Sequence, residues 1–279
     1  MAGILYLVAT PIGNLGDLSP RAVETLAQAD FIAAEDTRVS LRLLNHFDIR
    51  KPLVSYHEHN RAAAGPAIVQ RLLGGESCAL VTDAGTPAIS DPGEDLVRLC
   101  GQQGITVQAI PGCCAAVCAL AVSGLPTGRF CFEGFLSANK KERRTRLEEL
   151  SHEERTMVFH EAPHKLRPTL ADMLEVLGDR PVALCRELTK LHEEIWKTTL
   201  GEAQTHYAEN DPRGEYVLVM AGAPAAEAEE ELTLEQAAQR ALELTRNGYA
   251  ASAAAKAAAQ GTPYSKSEVY KQLLALQAD

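Results

Sequence analysis

Two successive α/β domains followed by a small helical tail are the fold class that this 279-residue sequence predicts. Residues 1–128 alternate short apolar or β-branched runs with helix-compatible segments, the order that builds a mostly parallel sheet with helices on both faces. The alternation resumes at Arg129 and runs to residue 223, which makes a second α/β domain. Beyond it, two capping-box sequences mark short helices without any strand pattern between them. The length is ample for such an arrangement.

The elements follow in order. Ile4–Ala9 is a first strand, and Ser19-Pro20 opens a helix with serine as N-cap and proline in the first turn. Phe31–Ala34, Leu53–Tyr56, Cys78–Thr82 and Ile105–Ile110 are further strands. Helices fall between most of them, including Arg61–Leu73 and one opened by Asp91-Pro92. The second domain offers strands at Phe130–Phe135, Thr156–His160, Val182–Arg186, Glu194–Thr199 and Tyr216–Ala221, with helices at Lys141–Leu150 and Leu166–Leu177. Residues 224–231 read as an acidic linker and residues 232–279 as the tail. There Thr233-Leu-Glu-Gln236 and Ser265-Lys-Ser-Glu268 are capping boxes, and Asn247-Gly248 is a stop signal. Three short helices joined by tight turns resemble a helix-turn-helix unit, and fit a plain helical cap equally well.

Composition narrows the function classes. Hydrophobic residues make up 46% and charged residues 23%, ordinary for a globular protein. The apolar run at the start is too short to span a bilayer and lacks a basic flank, so no membrane association is expected. Seven cysteines, with no CxxC pair, lie mostly in apolar segments and point to a reducing, cytoplasmic setting. A net charge of −10 argues against indiscriminate nucleic-acid binding. Any RNA contact then needs a local patch, for which the run Lys140, Lys141, Arg143, Arg144 and Arg146 is the candidate.

In a parallel α/β sheet the ligand crevice lies beyond the carboxyl ends of the strands. Here those ends run into Thr10–Asp17, Glu35–Arg38, Asp83–Gly93 and Pro111-Gly112, where glycine and proline are concentrated with Asp, Asn and Thr between them. Glycines let backbone approach a ligand, and the polar side chains address it. Other motifs carry less. His160-Glu-Ala-Pro-His164 spells the H-E-x-x-H zinc pattern, but it follows a strand and Pro163 opposes one continuous helix. His57 and His59 alone make no metal site, and no metal is expected. The first loop, with Gly13 and Gly16, is not the dinucleotide fingerprint, although an acidic residue does follow the second strand, which keeps a Rossmann-type methyltransferase open.

Taken together, the loops resemble one family. Leu5-Tyr-Leu-Val-Ala-Thr-Pro-Ile-Gly-Asn-Leu-Gly-Asp17, Ala34-Glu-Asp-Thr-Arg38, Asp83-Ala-Gly-Thr-Pro87, Ser90-Asp-Pro-Gly93 and Ile110-Pro-Gly112 are similar to the ribosomal RNA small subunit methyltransferase I proteins, a branch of the tetrapyrrole methylase superfamily. So are Ser123-Gly-Leu-Pro126, Phe132-Glu-Gly-Phe135 and Ala183-Leu-Cys-Arg-Glu-Leu-Thr-Lys190. The chain departs at Cys113-Cys114, where small or polar residues are usual, and at His160, where an aromatic is common. The resemblance implies two α/β domains of the tetrapyrrole methylase type with S-adenosylmethionine in the cleft between them, and a homodimer. It implies 2′-O-methylation of a cytidine in small-subunit (16S) ribosomal RNA, as naked RNA or in the assembled 30S subunit. Mapped motif by motif, the cofactor contacts would be Ile12, Gly85, Thr86, Ile89, Cys114, Ala115, Leu188, Met220 and Ala221.

Methyl transfer to a ribose hydroxyl is an in-line displacement, in which positioning supplies much of the rate and a base that accepts the proton helps. Glu35, Asp36 and Asp91 are the candidate bases, Asn14 would orient the ribose and Arg38 a phosphate. An ion pair between Asp36 and Arg38 that merely fixes the loop is the plain alternative. A small-molecule methylase of the same fold and a non-catalytic RNA-binding factor stay open beside the RNA methyltransferase. The Ala34–Arg38 motif and the tail point away from the corrin and diphthine branches.

Overall fold

The computed structural model describes residues 2–224 and 232–278, in two compact units, Met1–Ala223 and Pro224–Asp279. Residues 225–231, and with them nearly all of the expected acidic linker, lie outside the described residues.

The first unit holds two five-stranded sheets. In the first, β1 (Ile4–Val8), β2 (Phe31–Ala34), β3 (Leu53–Ser55), β4 (Cys78–Val81) and β5 (Thr106–Ile110) run in the order β3-β2-β4-β1-β5, all parallel. Helices α1 (Pro20–Gln28), α2 (Thr37–His46), α3 (Arg61–Leu73) and α4 (Gly93–Gln102) cover its faces. Strand alternation divides the core. Phe31 and Ala33 face α3 and α4 with Leu72 and Leu96, whereas Ile32 and Ala34 face α1 and α2 with Leu26 and Leu44. A strand buried on both faces has no polar stripe, so β2 reads as one continuous apolar run. Ser19 caps α1 by accepting a hydrogen bond from Ala22 N–H, with Pro20 at the first position. Pro92, one residue past the expected start, is the N-cap of α4.

Helix α5 (Ala115–Ser123) leaves β5 at the ligand edge of the first sheet, yet packs on the second sheet. That sheet runs β6-β7-β10-β8-β9, from β6 (Phe130–Phe135), β7 (Thr156–Glu161), β8 (Pro181–Arg186), β9 (Glu194–Thr199) and β10 (Tyr216–Met220). Only β6 and β7 are parallel; β10 runs antiparallel between β7 and β8, and β9 antiparallel to β8. One face carries α5 through Ala116, Ala119 and Leu120. The other carries α6 (Lys140–Glu149), α7 (Pro163–Leu177) and α8 (Leu200–Glu209). Helix α7 begins three residues earlier than the hydrophobic pattern indicates, because Pro163 occupies its first turn, where a missing N–H costs nothing.

The second unit consists of α9 (Leu234–Arg246), α10 (Ala251–Ala259) and α11 (Lys266–Ala278) around Ala241, Ala254, Ala258, Val269 and Leu273. Both capping boxes form: Thr233 with Gln236, and Ser265 with Glu268. Among the described residues no helix is long and apolar enough to cross a membrane.

Candidate active site

Because β1, β2, β4 and β5 are parallel, the four glycine-, proline- and acid-rich loops leave the same edge of the first sheet. Hydrogen bonds tie them together. Thr10 and Gly85 exchange backbone hydrogen bonds at 2.9 and 3.1 Å. Asp36 N–H donates to Asp83 Oδ1 at 3.0 Å, and Thr86 Oγ1 donates to the Cys113 carbonyl at 2.8 Å.

Beside these loops lies an apolar cluster drawn from both lobes. Ile12 of the first loop, Cys114 and Ala115 at the start of α5, and Leu188 after β8 pack together. Gly85, at φ 90°, adjoins them: a Cβ there would stand 3.6 Å from Ile12 Cγ2 and 3.8 Å from the Cys113 oxygen. Gly13 lies flush against the second lobe, where a Cβ would overlap Lys190 Cγ and stand 2.8 Å from Thr189 Oγ1. Ile12, Gly85, Thr86, Cys114, Ala115 and Leu188, all expected at the cofactor, are thereby brought together. Ile89 stands exposed further along the third loop.

Met220 and Ala221 are not brought there. Val217 and Val219 face α5, so by alternation Met220 points to the opposite face, fully buried against α6, α7 and α8. Met220 also pairs with Met157 and Val182, at the far end of β8 from Leu188. The Ala221 N–H is held by the Pro181 carbonyl at that same distant edge.

Among the described residues, four of the five non-glycine residues at positive φ lie on two segments, the third loop and the turn after β8. Ala88 (φ 68°) and Ser90 (φ 64°) in the third loop, and Glu187 (φ 52°) and Thr189 (φ 67°) after β8, are left-handed without being glycine. Asp91 holds the first pair: its Oδ1 accepts from Ala88 N–H at 3.0 Å and from Gly93 N–H at 2.7 Å. Ser90 in turn meets a bulge in β6, where a Cβ on Gly134 would lie 3.2 Å from its hydroxyl.

The same loops line a cavity of about 300 Å³, which includes Gly13 at the contact with the second lobe. Its polar lining comes from Thr10, Asn14, Ser40, Thr82 and Asp83, with Arg42 at the side. Among the carboxylates expected to act as bases, Asp36 is committed elsewhere. Asp36 caps α2 and chelates Arg38, with Oδ2 2.6 Å from Nη2; those bonds hold its carboxyl far below the usual range. A carboxylate so stabilised is a poor base, and the pair is the loop-fixing bond that was the plain alternative. Asp91 gives Oδ1 to its turn, while its Oδ2 is buried without a partner among the described residues. Glu35 accepts from Thr82 Oγ1 at 2.9 Å. Asn14 caps the single helical turn Leu15–Asp17 by accepting from Gly16 N–H.

Asp83 escaped the sequence reading, although it stands directly at the end of a strand before the Ala-Gly-Thr-Pro run. It opens to the cavity. Crowding by the surrounding protein, and then the neighbouring Glu35 and Asp36 carboxylates, push its carboxyl above the ordinary aspartate value. An acid whose pKa is raised by folding contributes stability below its unfolded value, about 3.9, and loses it as pH rises through the folded one. Asp83→Asn is therefore expected to raise the thermal midpoint slightly near neutral pH, with the gain vanishing below about pH 3.9. Melting curves across that range check this, and equal midpoints at pH 7 would contradict it.

The basic run is mostly not a free patch. Arg143, 4% exposed, is locked to Asp172, also 4% exposed, with Nη2 2.6 Å from Oδ2. Arg144 pairs with Glu175, and Arg146 with Glu133 and Glu149. Of the expected RNA patch only Arg143 is internal; Arg144 and Arg146 are neutralised in partly exposed pairs, and Lys140 and Lys141 lie outside these pairs. In the H-E-x-x-H string His160 ends on β7 and His164 on α7, so the two do not share a helix. Among the described residues no group of three His, Cys, Asp or Glu side chains is arranged for a metal ion.

The family model described as Tetrapyrrole (Corrin/Porphyrin) Methylases matches residues 4–204. A protein named Ribosomal RNA small subunit methyltransferase I from Synechocystis sp. is 49% identical, over 99% of this chain and 99% of its own. The protein of the same name from Pseudomonas aeruginosa is 48% identical, over 98% and 97%. Among solved structures, a diphthine synthase aligns with a TM-score of 0.57 at 15% identity, over 78% of this chain and 90% of that one. A cobalt precorrin-4 methyltransferase aligns at 0.55 and 18%, over 77% and 94%. These two carry the likeness of fold.

Proposed function

This chain belongs to the tetrapyrrole (corrin/porphyrin) methylase family, in its ribosomal RNA small subunit methyltransferase I branch, and from that premise we propose that it is an S-adenosylmethionine-dependent methyltransferase of small-subunit ribosomal RNA. Its finer activity in this reading is transfer to the 2′-hydroxyl of a cytidine in 16S RNA. The observation that carries the reading is the Thr10–Gly85 pairing, beside which an apolar two-lobed cleft and a small cavity lined by Asp83 come together.

The cleft suits the methyl donor. Gly85 leaves space that a Cβ would fill, Gly13 lets the second lobe approach closely, and Thr189 Oγ1 is buried beside Gly13 without a partner. The first amides of α5 have no side-chain cap, so they are free to receive a carboxylate. When bound, the donor supplies a methyl on a positively charged sulfur. Ile12, Cys114, Ala115 and Leu188 give an apolar lining that does not stabilise that charge, which favours a transition state in which the charge is fading. Thr86 fixes the third loop to the Cys113 carbonyl, and Asp91 fixes the turn beyond it. Met220 has no part in this lining.

Seven free thiols accord with a cytoplasmic location. Exposed Val117 and Val122 on α5, 53% and 39% accessible, accord with a homodimer.

The test is methylation of small subunits purified from a strain lacking this enzyme. Labelled methyl should enter 16S RNA and emerge after nuclease digestion as 2′-O-methylcytidine by mass spectrometry. Label on a base, or none despite donor binding by calorimetry, overturns the finer or the whole reading respectively.

A further inference from the structure

Ser40 is only 3% exposed and lies within helix α2, yet its hydroxyl finds no hydrogen-bond partner among the described residues. Buried hydroxyls are nearly always satisfied, so an orphan lining a cavity marks a place kept for a polar group. The cavity it lines is the one under the start of α2. Leu15 and Val39, 43% and 39% accessible, add exposed apolar side chains to its lining. Arg42 also lines it and, unlike Arg38 one turn earlier, makes no ion pair among the described residues.

Resting on the function proposed above, we propose that this cavity is the acceptor pocket, in which one ribonucleotide of an RNA chain sets its sugar hydroxyl against Asp83 and a neighbouring phosphate against Arg42. Three features select that occupant. About 300 Å³ is the low end of ligand-pocket volumes and suits a single sugar-sized unit, not a four-ring macrocycle. A mostly apolar lining interrupted by Asp83 and the Ser40 hydroxyl matches a nucleotide with one sugar hydroxyl to hold, and an arginine outside any ion pair matches a backbone phosphate. Position is the third. Asp83 stands two residues before Gly85, which adjoins Ile12 of the donor cleft, and Gly13 belongs both to the cavity lining and to the contact with the second lobe.

Asp83 is also held ready. The Asp36 N–H fixes Oδ1, and Asp36 itself is immobilised by Arg38, so Oδ2 is the oxygen free to work. In the step, a bond forms between the hydroxyl oxygen and the methyl carbon as the carbon–sulfur bond breaks. The electron pair of that bond stays on sulfur and cancels its charge, and the hydroxyl proton passes to Asp83 Oδ2 and then to water. Glu35, Asp36 and Arg38 from the β2–α2 segment and Arg42 from α2 are the charged groups around Asp83.

The experiment uses the full chain, unmethylated small subunits and labelled S-adenosylmethionine. Asp83→Asn should lower kcat at least 100-fold and abolish the acid limb of the pH profile, with donor Kd by calorimetry within twofold of wild type. Arg42→Gln should raise the KM for subunits at least fivefold with kcat within twofold, and reduce the salt slope by about one. Unchanged donor binding in both variants excludes misfolding as the cause. Active wild type together with an Asp83→Asn kcat within threefold, or with an unchanged KM in Arg42→Gln, overturns the pocket and leaves the methyltransferase reading standing. An inactive wild type overturns that reading instead.

Discussion

Arg143→Gln is expected to destabilise the first unit by about 3–5 kcal/mol, because it leaves a carboxylate buried and uncompensated. The magnitude follows from what Arg143 touches. Its guanidinium bonds Asp172 through Nε at 2.8 Å and through Nη2 at 2.6 Å, and Nη1 donates to the Ser137 and Ala138 carbonyls. One side chain therefore fastens α6 to α7 and to the turn before α6. Arg144 retains only a 3.4 Å approach to Asp172 and is otherwise engaged by Glu175, so it does not replace the lost partner. Chemical denaturation with the midpoint and slope fitted separately measures the effect. A loss below 1 kcal/mol, the range of exposed pairs, would mean that water reaches Asp172. The double change Arg143→Met with Asp172→Leu should recover much of the loss, since it removes the desolvated charges together.

Gly13→Ala is expected to weaken donor binding at least tenfold and methyl transfer by about 10², the cost of a displacement near 1 Å in a reaction that depends on alignment. A Cβ at this position overlaps Lys190 Cγ, stands 2.8 Å from Thr189 Oγ1 and 3.1 Å from the Leu188 carbonyl oxygen. The last of these is backbone, and the segment already carries strain at Glu187 and Thr189. It is also braced: Lys190 Nζ bonds Glu187 and Glu215, and the Glu187 carboxylate accepts from Glu215 N–H. The 188–190 segment must therefore shift, which disturbs the packing of Leu188 against Ile12. Calorimetry with S-adenosylmethionine and single-turnover methylation read the two losses. Wild-type donor affinity in this variant would show that the lobes do not need this close approach.

How much of this is legible in the residues depends on whether the relevant neighbours are near in the chain. Strands such as Phe31–Ala34 and helices such as Arg61–Leu73 announce themselves through apolar runs, caps and turn residues, all local signals. The clustering of the glycine-rich loops is legible too, since parallel strands must send their ends to one edge. Met220 goes astray because a motif match carries no strand parity; one residue along the strand reverses the face. The run Lys140–Arg146 looks like a free cation patch because Asp172, Glu175 and Glu133, which neutralise it, belong to other elements. Asp83 goes unnoticed for the same reason: the groups that position it and alter its acidity, Asp36 and Glu35, follow a different strand.

Helix α5 belongs to the first sheet by chain and to the second by packing. A cut between residues 128 and 129, where the sequence pattern restarts, would carry Ala116, Ala119 and Leu120 away on one fragment and expose Val158, Ala183, Val217 and Val219 on the other. Each half would then present an uncovered greasy surface, the usual beginning of clumping in a truncated product. The two lobes are for this reason a single inheritable block: neither can be swapped, expressed alone or grafted without taking this helix and its seat together.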